Sequence, residues 1–214
     1  MLNAFKRLSE EKQVYIINAA ADIFGEEGFH HASISRICKK AGISNGALYK
    51  YFENKEALYF VVVDYITHKI ETEVYKKYID KSESIFDDIH NFLRGLKEFI
   101  QNYPNYIVIY CDFGSSSMNR FAERTSEKFR IATSLYTIRM VEHSKKRNEI
   151  DNNIKNEVAA YLIDNYFTIF AYTLVAKYHN NRINSFFSMG NRKLNDDEII
   201  DWILESLKET LKKR

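Results

Sequence analysis

Ser33-Ile34-Ser35-Arg36-Ile37-Cys38-Lys39-Lys40-Ala41-Gly42-Ile43-Ser44-Asn45-Gly46-Ala47-Leu48-Tyr49-Lys50-Tyr51-Phe52 decides how the chain is read. Ile34, Ile37 and Ala41 recur at helical spacing, and Leu48 and Phe52 do so again further on. Ser33 and Ser44 stand where helix caps belong, and Gly42 supplies the turn between the two segments. The second segment carries Asn45, Tyr49 and Lys50 and no acidic side chain. Two short helices joined by a tight turn, with such a second helix, have the form of a helix-turn-helix, whose second helix enters the DNA major groove.

Outward from that stretch the pattern stays helical. Ser9 precedes Glu10 and Glu11, which suit the positive end of a helix, and Val14, Ile17, Ala20, Ala21 and Phe24 then make one apolar face that Gly25 and Gly28 end. Asn54 can cap a fourth helix that runs to about Ile79. Tyr15, Ile16, Phe24, Ile37, Leu48, Phe52 and Leu58 are the expected core of this N-terminal part. A module of about fifty residues needs a neighbour to lean on, and the fourth helix is that neighbour. Further on, Ile85, Ile89, Phe92, Leu93, Leu96 and Ile100 form a stripe, and Asn102-Tyr103-Pro104 punctuates the chain. Tyr106 to Cys111 reads as a buried helix and Asp112 to Ser117 as a loop. Long helices are expected over Asn119 to about Asn148 and over Ile150 to about His179. A last amphipathic helix follows Asn195, which with Glu198 resembles a capping box.

The chain has 214 residues, 45% of them hydrophobic and 28% charged, enough to bury a core. One proline and seven glycines leave few turns and favour an all-α fold. A net charge of +2 gives no strong global field, so any grip on nucleic acid has to be local. The two cysteines, Cys38 and Cys111, lack metal spacing, and the six histidines, at 30, 31, 68, 90, 143 and 179, are scattered. No catalytic constellation, phosphate loop, metal site or cofactor motif is present, and Asp87-Asp88 and Asp196-Asp197 read as solvated helix starts. The N-terminus lacks the apolar core of a signal peptide, and the longest apolar stretches fall short of a membrane span. The expectation is a cytoplasmic protein that does not enter a membrane and is not an enzyme.

Ala19-Ala20-Ala21-Asp22-Ile23-Phe24, Gly28-Phe29, Ser33 through Cys38, Ala41-Gly42-Ile43-Ser44, Gly46, Leu48-Tyr49, Tyr51-Phe52 and Asn54-Lys55-Glu56-Ala57-Leu58 follow one another in an ordered, correctly spaced run. From about Glu11 to Tyr59 the chain resembles the N-terminal domain of the TetR family of bacterial transcriptional regulators. The resemblance implies a three-helix DNA-binding domain over 1–53 and an effector-binding, dimerisation domain over 54–214, linked by the helix at about 54–79. Three positions depart from the family pattern: Ala32 and Ala47 stand where Thr is common, and Asn45 where Lys is common. They bear on which DNA is read, not on the fold.

Site expectations follow from both readings. Asn45 and Ala47 are base-edge candidates, since Asn pairs with adenine and a small apolar group meets the thymine methyl, with Lys50 for guanine or phosphate. Gly46 lets the backbone approach, and Ser44 heads the helix. Tyr49, Tyr51 and Lys55 resemble the family's phosphate contacts. Ser33 caps or touches phosphate, and Ser35 and Arg36 reach the groove wall. Aromatic crowding in the C-terminal part suggests a pocket for a small, partly apolar effector, lined by Phe92, Tyr106, Tyr110, Phe129, Tyr136 and Tyr166. From Val158 to Val175 apolar residues lie nearly all round the helix, so it should be buried on every side, one face by a second subunit. The expected homodimer contacts are Ile163, Phe167, Ile169, Phe170 and Leu174 there, with Ile200, Leu204 and Leu207 on the last helix. The function implied is a homodimeric, ligand-responsive repressor on a palindromic double-stranded DNA operator. The alternatives are an activator, an effector-independent regulator, an architectural DNA-binding protein, or a helical-bundle enzyme with an incidental motif.

Overall fold

The computed structural model of the chain describes residues 2–129, 133–187 and 192–213, without the side chains of Leu2, Asn3, Lys128 and Phe129. Its regular structure among the described residues is helical throughout. The chain packs into two compact units. Residues 1–68 and 105–122 form the first, and residues 69–104 and 123–214 the second.

In the first unit, α1 (Leu2–Phe5) is a single turn and α2 spans Glu10–His31. The Ser9 hydroxyl accepts from the Lys12 amide at 3.4 Å, as the sequence suggested. Ile16, Ala20, Ala21 and Phe24 are buried. Tyr15, expected in the core, is 57% exposed instead. It lies one position off the buried face, and its hydroxyl donates to the Lys40 carbonyl at 3.3 Å. At Gly28 α2 leaves helical geometry with φ 70° and ψ 162°, a backbone region open to glycine almost alone. The bend turns the last residues of α2 so that Phe29 is buried.

Two further helices complete the motif, α3 (Ile34–Lys40) and α4 (Asn45–Tyr51). Gly42 takes φ 62° directly after α3. The Ile43 amide donates to the Cys38 carbonyl at 3.0 Å and the Gly42 amide to the Lys39 carbonyl at 3.4 Å. This double closure is a Schellman motif, and it needs a residue with positive φ at the position Gly42 holds. Next comes α5 (Lys55–Ile70), capped by Asn54, whose Oδ1 accepts from the Ala57 amide at 2.8 Å. It continues as a π-helical turn, Glu71–Tyr75, and as α6 (Lys76–Tyr78), so the expected long helix is unbroken but carries one π turn.

The remaining part of the first unit comes from 105–122. Most of α8 (Pro104–Asp112) lies in it, and a 3-10 turn follows at Ser116–Phe121. The reading of Tyr106 to Cys111 as a buried helix agrees with α8. Phe121 meets Phe29, Tyr59 and Phe60 with ring centroids 5.1, 6.1 and 5.2 Å apart, and Tyr59 stands edge-on to Phe24 at 5.0 Å. Edge-to-face pairs of this kind add to simple burial. Asn105 Nδ2 donates to Asp22 Oδ1 at 3.0 Å, and the Tyr106 hydroxyl donates to Asn18.

The second unit holds α7 (Ile85–Asn102), α9 (Ala122–Phe129, all but its first residue), α10 (Leu135–Lys146), α11 (Asn156–Val175), α12 (Lys177–Phe187) and α13 (Asp196–Leu211). In it α11 packs on α7, α10, α12 and α13. The capping box at Asn195 and Glu198 is complete in both directions. Several expectations need correction here. The helix expected from Asn119 to about Asn148 opens instead in a 3-10 turn, Ser116–Phe121, and is α-helical over Ala122–Phe129 and Leu135–Lys146, with residues 130–132 outside the described chain. The helix expected to reach His179 stops at Val175, and α12 begins after Ala176. Asp88, read as solvated, is fully buried, and its Oδ1 accepts from the Lys81 and Ser82 amides at 3.1 and 2.7 Å. By length and composition α11 could cross a membrane, contrary to the sequence reading, with a mean hydropathy of 1.3 over 18 residues. Within the unit, though, Ala159, Ile163, Phe167 and Phe170 are buried.

Candidate nucleic-acid interface

Leu48 and Phe52 fix the orientation of α4, since both are fully buried. That leaves Asn45, Gly46, Tyr49 and Lys50 on the exposed side, with Ala47 and Tyr51 half-buried. Ser44 caps the helix, its Oγ accepting from the Ala47 amide at 3.1 Å. Asn45 Nδ2 donates to Ser35 Oγ at 3.1 Å. This bond steers the amide and still leaves its oxygen and second N–H, the pair that adenine requires. A side chain at Gly46 would find nothing inside the protein closer than Ser44 Oγ at 3.9 Å. Internal packing therefore does not call for glycine there.

The cations of this unit divide into two groups. Arg36 is held by Glu27 and, at 4.0 Å, by Glu26, so its charge is spent on α2. Lys40 pairs with Asp22 at 2.8 Å, and that hydrogen bond pushes its pKa up. Lys55 donates to the His30 and Ala32 carbonyls at 3.0 and 3.1 Å and lies over the Phe29 ring at 4.9 Å. Burial, and then the nearby Arg120 charge, lower its pKa. Lys55 thus closes the bent end of α2, a role the sequence reading missed, because nothing in the local pattern brings residue 55 to residues 30 and 32. Lys39 and Lys50 are exposed and make no ion pair among the described residues. Ser33 occupies the cap position of α3 but makes no capping hydrogen bond. Cys38 is buried, and burial pushes its thiol pKa up, so it is a packing residue.

Residues 16–62 match the family model for "Bacterial regulatory proteins, tetR family". Those residues therefore form a TetR-family N-terminal domain. The HTH-type transcriptional regulator UidR of Escherichia coli K12 is 41% identical over 63 residues, 29% of this chain and 32% of the relative. The match therefore spans about a third of that curated relative's length. The fatty acid degradation regulator FadR from Bacillus halodurans superposes with a TM-score of 0.77 at 16% identity, covering 97% of this chain and 100% of the other. FadR from Bacillus subtilis, solved in complex with stearoyl-CoA, gives 0.73 at 17% identity, covering 91% and 96%. At such identities these two show a shared fold over 97% and 91% of the chain and nothing of its role.

The other expected sites fare unevenly. Tyr106 and Tyr110 belong to the first unit, whereas Phe92, Tyr136 and Tyr166 belong to the second. Phe92 is a core residue, stacked on Phe167 at 4.0 Å. The Tyr106 hydroxyl is used on Asn18, and that of Tyr136 donates to Glu71 at 2.8 Å. Phe129's side chain lies outside the described residues. The second unit has a cavity of about 390 Å³ beside the π turn, reaching Thr72, Glu73 and Phe99. Another, of about 250 Å³, lies between α11, α12 and α13, against Ile169, Ile183 and Trp202. None of the other five expected pocket residues lines either one.

Of the expected dimer contacts, Ile163, Phe167, Phe170, Ile200 and Leu207 are buried within the chain and have no surface to offer a partner. They serve the core of the second unit. Ile169, Leu174 and Leu204 keep partial exposure. The helix expected to be buried on every side exposes Val158 and Tyr161, the latter by 69%. Among the described residues, no three of His, Cys, Asp or Glu are grouped to hold a metal ion.

Proposed function

We propose that this TetR-family transcriptional regulator is a homodimeric repressor of a palindromic operator, released by a small, partly apolar effector. The observation that carries the reading is α4: a short helix anchored by Leu48 and Phe52 that turns Asn45, Gly46, Tyr49 and Lys50 outward. Asn45 and Ala47 read base edges, Lys50 takes guanine or phosphate, and Tyr49 and Tyr51 take phosphates. Lys55 has one N–H left after its two carbonyls, and we assign that to phosphate.

The dimer face follows from what the chain leaves uncovered. Val158, Tyr161, Leu162 and Ile169 lie at helical spacing along α11 and retain exposure, as does Leu204 on α13. A second copy covering this stripe would double the DNA contacts and set two recognition helices about a two-fold axis, which makes the operator a palindrome. Effector release requires linkage: if the effector weakens DNA binding by a given factor, operator weakens effector binding equally. Acyl-CoA thioesters are the first class to screen, because FadR of Bacillus subtilis was solved with stearoyl-CoA. For the effector we take the second unit's cavity against Trp202, whose ring lies 5.8 Å from that of Tyr166, so that Tyr166 stands behind the lining and not in it. DNA binding places the protein in the cytoplasm.

The test is selection of DNA by the full chain from a random pool at near-physiological salt. One palindromic motif, with preference at particular positions relaxed in Asn45→Ala, supports the reading. A folded protein that enriches no sequence refutes it and favours architectural binding.

A further inference from the structure

The residues before Leu8 belong to no expected element, yet the structure sets Phe5 to Arg7 beside the recognition helix. Phe5 is 4% exposed. Its ring centroid lies 4.8 Å from that of Phe52 and 6.0 Å from that of Tyr51, at the C-terminal end of α4. The Leu8 amide donates to the Phe5 carbonyl at 3.0 Å, and Gln13 Nε2 donates to the Leu8 carbonyl at 2.8 Å. The turn between these bonds is Lys6-Arg7, and both side chains are exposed.

Neither cation makes an ion pair among the described residues. In the same unit Arg36, Lys40 and Arg120 each face a carboxylate and Lys55 faces two carbonyls, whereas Lys39 and Lys50 share the unpaired state of Lys6 and Arg7. Glu10 and Glu11 open α2 a few residues on and do not pair with Lys6 or Arg7. Two adjacent, uncompensated charges are thus held next to Tyr51 by a buried aromatic anchor, and packing explains the anchor but not the charges. The Lys6 ammonium, a point cation on a flexible stem, suits a phosphate oxygen, and the planar guanidinium of Arg7 can hold a phosphate through two N–H groups.

We propose that Lys6 and Arg7 form an accessory clamp on the DNA backbone, gripping two phosphates that flank the base pairs read by α4. The clamp rests on the DNA-binding reading above. It adds affinity without adding sequence preference, since phosphates are the same at every step. Each phosphate neutralised contributes about 0.9 to the slope of log K against log salt.

The experiment uses the full chain and the duplex enriched from the random pool, titrated over a series of salt concentrations. The Lys6→Gln, Arg7→Gln double variant should lower the slope by about 1.8 and leave the enriched sequence unchanged. Lys146→Gln, an exposed cation of the second unit, should leave the slope as it was. Both side chains of the clamp are exposed, so the melting temperature of the double variant should equal that of the parent. A double variant with the parent's slope overturns the clamp while leaving the DNA reading standing. A lowered slope accompanied by an altered sequence motif overturns the phosphate assignment. A parent chain that binds no duplex in a salt-dependent way overturns the clamp and the DNA reading together.

Discussion

Replacing Lys55 by Met keeps most of the aliphatic stem and removes the ammonium, which isolates what the charge does. In the structure that ammonium donates to the His30 and Ala32 carbonyls and lies over the face of Phe29. These carbonyls end a helix that bends at Gly28, so they have no ordinary helical partner. A hydrogen bond to a charged group contributes about 1.5–3 kcal/mol net, and a cation at a helix C-terminus adds a few tenths to one. One ammonium serves both acceptors, water can replace part of it, and the lowered pKa shows that burial already taxes the charge. The lower end of the range therefore applies, about 2 kcal/mol in all. For a chain of this size that is a melting temperature lower by about 4–8 °C, followed by circular dichroism at neutral pH. The same variant should lower the salt slope of DNA binding by about 0.9 if the third N–H meets a phosphate. A lowered slope at an unchanged melting temperature would refute the closure of α2 by Lys55.

Three further outcomes are expected. Gly28→Ala should cost about 1–3 kcal/mol, because φ 70° and ψ 162° strain any side-chain-bearing residue. The added Cβ meets nothing within 4 Å, so the loss is one of backbone alone, read by urea unfolding, and an unchanged midpoint would contradict it. Burial pushes the Cys111 thiol up to about 12 from 9.0, and it raises the Tyr59 phenol as well. The unfolded chain releases these protons first, so this part of the stability is whole below pH 9.0 and is lost as pH climbs toward about 12. An unfolding free energy flat across that window would count against it, as would fast reaction of native Cys111 with a thiol reagent at neutral pH. Tyr161→Glu should give monomers by light scattering, since Tyr161 is the most exposed apolar position of α11, and a dimeric mass would show that this face is not the interface.

What the sequence made legible was local. Ser9, Ser44, Asn54 and Asn195 act as caps within three residues of themselves, and Gly42 sets a turn of four, so each could be placed from its neighbours alone. Leu48 and Phe52 were placed by helical spacing, which also turned Asn45 and Lys50 outward. The misreadings are contacts across long separations or small angular errors. The pairing of Arg36 was invisible because Glu27 is nine positions away on another helix, though Arg36 keeps 58% of its side chain exposed. Asp88 looked solvated because its partners are the amides of a preceding loop, and a carboxylate that satisfies two such amides can be buried. Apolar content misled in the second unit. It shows that α11 is mostly buried but not which residues face inward, so Ile163 and Phe167 went to an interface they cannot reach.

The membership of residues 105–122 in the first unit has a bearing on evolution and on engineering. Phe121 contributes to the same aromatic cluster as Phe24, Phe29 and Tyr59, although some sixty residues of chain separate it from Tyr59. A recombination that grafts residues 1–53 onto another regulator, the natural cut by motif, would leave behind Tyr59, Phe60 and Phe121 and expose Phe29. Gene shuffling in such a protein has to carry two segments together or find a recipient with its own ring in the place of Phe121. Operator specificity would then be easier to inherit by changing the outward residues of α4 than by exchanging the head as a block.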